Sequence, residues 1–268
     1  RDLGPWRLPA GLIMLIMPIA LLAPLTILLW ASFLPIYEPP SMADFAKMSF
    51  DNYIEVVTRP LTVDGMWNGI VVATLSSTVL AGYTFILAWF VVRRREASRW
   101  SLDMMASLPL VLPGIVLGIA VLIEFLHVRF IPIYGTVWIL VFAFLIKYMP
   151  YGMRFCYAGM LSVHKELEEC ARTSGARTIT VLWRIVLPLT LPAVAAIWIY
   201  VFLHTVRDLG TAVMLAGPQN QIIAIVILEL WENGEVTELG ALSILLAIVV
   251  TILGWAFMKL SQRYSQKN

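Results

Sequence analysis

Long apolar runs separated by short polar stretches set the pattern of this chain. A hydrocarbon layer about 30 Å thick takes about 20 apolar residues wound as helix, which closes its backbone hydrogen bonds within the segment. Five stretches meet that requirement: about residues 10–34, 66–92, 102–126, 136–157 and 240–260. A sixth, about 190–215, starts apolar and is then interrupted by His204, Arg207 and Asp208. The pattern predicts an all-α integral membrane protein with about six transmembrane helices in a single domain covering residues 1–268. Pro18, Pro24, Pro109, Pro113 and Pro150 fall inside these spans, where neighbouring helices can satisfy the freed carbonyls. Gly114 and Gly118 form a G-x-x-x-G on the third span, which predicts close helix packing.

The polar stretches carry structure of their own. Residues 158–189 are charged, and Ser162 is placed to cap a helix starting at Val163. Glu166, Glu168 and Glu169 fall in its first half and Arg172 in its last turn, matching the helix dipole. Gly175 stands where a left-handed C-cap belongs. Such a helix, about a dozen residues and about 18 Å long, is marginal alone and needs packing to hold it. Ala171 and Gly175, four apart, predict a shallow small-residue face on it. Thr178 is placed to cap a second helix through Ile185, and Pro188 to stop it and turn the chain into the fifth span. Between the first two spans, Ser49 to Val57 predicts a short interfacial helix with a Ser or Asp cap and with Phe50 and Tyr53 at headgroup level.

Composition agrees with this picture: 60% of residues are hydrophobic and 13% charged, and mean hydropathy is +0.84. The net charge of +2 says little, but its distribution sets an orientation. With the N-terminus inside, only Lys47, Arg59, Arg129 and Arg207 of the 19 Lys and Arg face outward, and Lys147 lies within a span. That leaves fourteen inside (19 − 4 − 1), including Arg93, Arg94, Arg95, Arg99 and Arg172. The positive-inside rule therefore puts both termini and the 158–189 stretch in the cytoplasm. The outer segments are acidic, with Glu38, Asp44, Asp51, Glu55 and Asp64 before span two and Glu229, Glu232, Glu235 and Glu238 before span six. This suits a face that meets a soluble protein. No Met opens the chain and no signal peptide is visible, so a trimmed start or the second half of a longer protein is expected. Cys156 and Cys170 lack metal-type spacing, and His127, His164 and His204 fall in different regions, so no metal site is expected. Nothing in the pattern points to nucleic acid.

Ionisable groups at membrane depth cost about 2.5–3.5 kcal/mol on insertion scales and mark function by default. Lys147 lies mid-span before Tyr148-Met149-Pro150-Tyr151 and has two readings, snorkelling to the headgroups or lining a pathway. Glu124, beside His127 and Arg129, reads as a solvated interfacial group. His204, Arg207 and Asp208 follow about fifteen largely apolar residues and precede Gly210, which permits a broken helix of the kind found at transport sites. With Lys147 they are the candidate translocation-pathway residues.

The spacing Glu169-x-Ala171-x3-Gly175-x9-Ile185-x-Leu187-Pro188 resembles the EAA loop of permease subunits in binding-protein-dependent ABC importers. Cys170 departs from it, standing where the family usually has a first alanine. The resemblance implies that Glu168, Glu169, Ala171, Arg172, Gly175, Ile185, Leu187 and Pro188 couple to an ATPase. It further implies a type I importer permease fold, a second permease subunit or fused half, an ABC ATPase dimer inside and a periplasmic binding protein outside. The expected location is the bacterial inner membrane. The stretch His204 to Thr211 resembles the Arg/Lys-Glu-Leu-Ser/Gly segment of permeases for ferric iron, thiamine, polyamines or oxyanions, with Asp208 replacing the more frequent Glu. Leu230 to Gly234 and Leu239 to Ser243 look most like the iron(III) permeases. The likeness runs from about Asn68 to Trp255.

The chain carries no G-x4-G-K-[ST], so hydrolysis is expected in trans, with ATP and Mg held by the partner ATPase and no cofactor or catalytic residue here. A secondary transporter or channel would explain the spans but not the EAA spacing. An intramembrane enzyme would need a carboxylate pair or ligand set at matching depth. A membrane anchor without transport of its own is the third alternative.

Overall fold

A computed structural model describes residues 7–93, 104–127 and 132–265. Of the basic residues behind the expected orientation, Arg1, Arg94, Arg95, Arg99, Arg129 and Lys267 lie outside the described residues, as do residues 102 and 103 of the expected third span. The helices are α1 (Arg7–Ser32), α2 (Asp51–Thr58), α3 (Pro60–Arg93), α4 (Gly114–His127), α5 (Val137–Leu161), α6 (Lys165–Thr173), α7 (Thr178–Val206), α8 (Leu209–Ala212), α9 (Ile223–Glu232) and α10 (Val236–Ser265). Among the described residues, α3, α5, α7 and α10 from Val236 to Phe257 are long and apolar enough to cross a membrane. A bent pair, Met104–Val111 with α4, is apolar enough to make a fifth crossing if it is one broken span, or a re-entrant loop if it is not. The first apolar run is helical as expected, and Pro18–Ser32 forms a shorter apolar helix within it.

The described residues fall into two compact units: Arg1–Val63 with Val226–Thr251, and Asp64–Ile225 with Ile252–Asn268. In the first unit, the end of α1 is tied off by α2. Buried Asn52 donates to the carbonyls of Ser32 (3.0 Å) and Leu34 (2.8 Å), satisfying acceptors that a helix C-terminus leaves open. Ser32 and Tyr53 share a 2.7 Å hydroxyl contact, and Phe33 packs edge-on against Phe50. The short helix was expected, but its cap differs: Phe50 is the N-cap and makes no side-chain cap bond. Asp44, one of the acidic residues expected on the outer face, is buried and accepts from Ser41 N and Oγ, with Lys47 beside it. Arg59 pairs with Glu235, and that hydrogen bond holds the Glu235 carboxyl below the ordinary glutamate range.

The second unit holds the main core. Phe85, Leu80, Ile139, Leu140, Phe144, Val186, Ile197 and Val201 bring α3, α5 and α7 together, and Leu215 and Ile222 close it from the segment after α8. Three features depart from the sequence reading. The expected continuous span 102–126 is broken by 112° between Val111 and Gly114. Leu112, which precedes Pro113, takes φ −89° and ψ 125°, the extended conformation that proline forces on its neighbour. Pro188 does not stop the helix after residue 178: α7 runs through it. A π-turn at Leu182–Val186 lets the chain pass Pro188, which has no N–H to give. The fifth span ends at Val206, so Arg207 and Asp208 form the break themselves, ahead of Gly210.

Candidate functional site

Two sites emerge, one around α6 and one where α5 meets the end of α7. Helix α6 spans nine residues, from Lys165, shorter than expected. His164 is its N-cap, whereas Ser162 lies at the end of α5 and donates to the Gly159 carbonyl. Its far end matches the prediction. Gly175 has φ +86°, Gly175 N donates to Arg172 O (2.9 Å), and Ala176 N reaches back to Ala171 O (3.0 Å). These two bonds are a Schellman closure, with Ala171 and Ala176 both packed against the core beneath. Ala171 is therefore half-buried against its own chain, while Gly175 and Cys170 are exposed. Thr178 opens α7 without capping it; Arg177 occupies the N-cap.

The charged side chains of α6 divide by face. Glu169 is exposed and pairs with Lys165 four residues back, which holds its carboxyl below the usual range. Glu168 is 2% exposed. One of its oxygens accepts from Arg93 Nε at 2.6 Å, the other from Trp89 Nε1 at 3.3 Å, with Arg172 at 3.6 Å. Arg93 also donates to Val163 O. The short helix is thus fastened to the end of α3 by a buried, charge-assisted bond. Ile185 and Leu187 pack against the core around the π-turn. Sequence reading took Arg93 only as a loop charge, and no local pattern links it to a residue 75 positions away.

The second site gathers all four expected pathway residues. Lys147, Tyr148 and Tyr151 come from α5, and Tyr200 and His204 from α7 at i, i+4 spacing. Arg207 and Asp208 follow at the break, and Pro109, Leu110 and Leu112 approach from the bent pair. Together they line a cavity of about 430 Å³. Asp208, 8% exposed, is the N-cap of α8: Oδ1 accepts from Thr211 N. Its Oδ2 accepts from Lys147 Nζ (2.5 Å) and Tyr148 Oη (2.6 Å). Lys147 also donates to Thr211 Oγ1 (2.9 Å). Lys147 thus lines the cavity with its ammonium paired to Asp208.

Gly114 and Gly118 make this possible. A Cβ at Gly114 would sit 2.8 Å from Lys147 Nζ, and one at Gly118 2.8 Å from Thr211 O. The G-x-x-x-G thus receives the α8 turn rather than a long helix. His204 stacks on Tyr200 with centroids 4.0 Å apart, and Tyr200 lies 5.1 Å from Tyr151. The three tyrosines were missed as site residues. The Tyr200–His204 spacing, and Tyr151 four after Lys147, were the available signals.

A family profile described as "Binding-protein-dependent transport system inner membrane component" matches residues 78–268. The chain belongs to that family. Among curated relatives, it is 25% identical over 213 residues to the ferric transport system permease protein FbpB of Actinobacillus pleuropneumoniae, covering 77% of this chain and 30% of that one. It is 28% identical over 196 residues to the spermidine/putrescine permease protein PotC of Haemophilus influenzae (73% and 72%). It is 23% identical over 218 residues to the molybdate/tungstate permease protein WtpB of Pyrococcus abyssi (80% and 86%). The permease therefore spans less than a third of the length of the ferric relative and most of the other two. Its fold is similar to that of a bacterial ABC transporter involved in the import of the acidic polysaccharide alginate, with TM-score 0.76 and 17% identity over 96% of both chains. It is also similar to the MetNI methionine ABC transporter, with TM-score 0.60 and 16% identity over 76% of this chain and 96% of that one. The permease has the type I importer fold, as the sequence led us to expect.

Proposed function

We propose that this permease is one transmembrane domain of an ATP-driven importer, with both termini and α6 in the cytoplasm. In this reading α6 is the coupling helix. A docked ABC ATPase dimer, holding ATP and Mg, moves it as a rigid body, and α7 relays the motion through the π-turn to the cavity residues. A second permease subunit or fused half completes the pathway, and a periplasmic binding protein delivers cargo to the acidic outer face. The observation that carries this is the exposed Gly175 closure at the end of a helix anchored from behind by Glu168. Ferric iron is the proposed cargo, on the likeness to FbpB and the segments around Leu230 and Leu239. An oxyanion is the second reading, favoured by Arg207 and Lys147 at the cavity.

The test is co-purification of the ATPase with the tagged permease, and ATP-dependent uptake of ferric iron in liposomes. Uptake without any ATPase would instead indicate a secondary transporter. Gly175→Val sharpens it. A Cβ at Gly175 meets nothing within 4 Å, so the cost lies in the backbone, about 1–2 kcal/mol for an L-residue held left-handed. The variant is expected to insert normally and to retain less than a tenth of the ATPase in pull-down, about the change that 1.4 kcal/mol brings. Full ATPase retention would remove Gly175 from the docking surface.

A further inference from the structure

The ionic groups that line the cavity are not equally available, and this difference bears on the cargo. Asp208 is the one carboxylate among the lining residues, and it is buried and fully engaged by Lys147, Tyr148 and Thr211 N. Arg207, by contrast, is exposed, and its guanidinium lies 3.3 Å from His204 Nε2. Since a guanidinium only donates, Nε2 must accept, and Nδ1–H then donates to Tyr200 O at 2.9 Å. His204 is therefore the neutral tautomer with both nitrogens occupied, which leaves it no lone pair for a metal. Lys147 keeps a third ammonium proton beyond Asp208 and Thr211, with its side chain 25% exposed. The reachable surface thus presents positive charge and N–H donors beside the Tyr151 and Tyr200 rings, and no carboxylate.

Resting on the permease reading, we infer that the cavity receives its cargo as a small, oxygen-rich anion: a free oxyanion, or a metal held within an anionic oxygen chelate. Arg207 is the specificity-determining residue. With Asp208 already paired to Lys147, a bare trivalent ion or a polyamine would meet the uncompensated charge of Arg207 and no free carboxylate, a clash of like charges that disfavours the wrong partner. An anion gains charge-assisted bonds from Arg207, which presents a planar fork of donors. If iron is the cargo, it crosses with its oxygen ligands.

The transporter is purified with its native partners, held in lipid nanodiscs without nucleotide, and titrated calorimetrically with molybdate, citrate, ferric citrate and spermidine. Molybdate binding assigns the free oxyanion, and ferric citrate binding more tightly than citrate assigns the chelated metal; either supports the inference. Arg207→Gln should weaken the bound anion about tenfold or more, the loss of one charge-assisted bond, while Arg207→Lys, which keeps the charge but not the fork, recovers only part of the affinity. Spermidine binding with the anions silent, no anion binding at all, or anion binding unchanged in Arg207→Gln would each overturn it. Because no nucleotide is involved, those results leave the ATPase pull-down as an independent test of the permease reading.

Discussion

Glu168→Ala is expected to cut coupled uptake at least tenfold while leaving the spans inserted. Glu168 is 2% exposed and the Arg93 side chain 14%, so the substitution strands a guanidinium in a largely dry place. Removing one member of a buried pair costs about 3–5 kcal/mol. Helix α6, at nine residues, cannot hold itself against that loss, because helices so short are marginal without packing. Under the proposed coupling, a docked ATPase would then push on a helix no longer fastened to α3. Expected results are a lower thermal midpoint in detergent and at least a tenfold drop in uptake, with ATP hydrolysis persisting. Replacing both partners, Glu168→Leu with Arg93→Leu, should recover the midpoint further than it recovers uptake, since an apolar pair can pack but cannot reproduce the directed bond. Equal uptake by wild type and Glu168→Ala would show that the anchor plays no part in coupling.

How much of this was legible beforehand depended on the range of the interaction. Gly175 was readable because a left-handed closure is decided by one residue and the helix before it. Long apolar helices were readable because apolar length alone selects them, but the bend within the expected 102–126 span and the end of the fifth at Val206 were not. Which glutamate of α6 faces inward was not, since Glu168 and Glu169 differ only in what lies across from them, and Arg93 and Trp89 belong to a different helix. Prolines were equally opaque. Pro150 sits inside an unbroken α5, Pro188 and Pro192 inside α7, yet Pro113 leaves a 112° bend. Each removes the same backbone donor; whether the helix survives depends on whether a π-turn or neighbouring packing absorbs the gap, which is a tertiary matter. At the second site, the charges drew notice because charge is rare at such depth. Their pairing did not, since Lys147 and Asp208 are 61 residues apart.

That pairing supports the second large expectation, that Asp208→Ala collapses the cavity. Asp208 does three things at once: it caps α8 through Thr211 N, neutralises Lys147 and receives the Tyr148 hydroxyl. Its loss leaves an ammonium, a phenol and a backbone N–H short of acceptors where water is scarce. The cost should approach the lower end of the 3–5 kcal/mol range, about 3 kcal/mol, because the Lys147 side chain is 25% exposed and retains some solvation. Uptake should fall at least tenfold. Lys147→Met alone should be milder, because Tyr148 and Thr211 still satisfy Asp208. The double variant Lys147→Met with Asp208→Ala separates charge pairing from capping. If pairing dominates, the double is more stable than Asp208→Ala, with a coupling energy in the 0.5–3 kcal/mol range seen for residues in one network. If the two substitutions simply add in thermal unfolding, the cap holds the turn and Lys147 is there for the cargo alone.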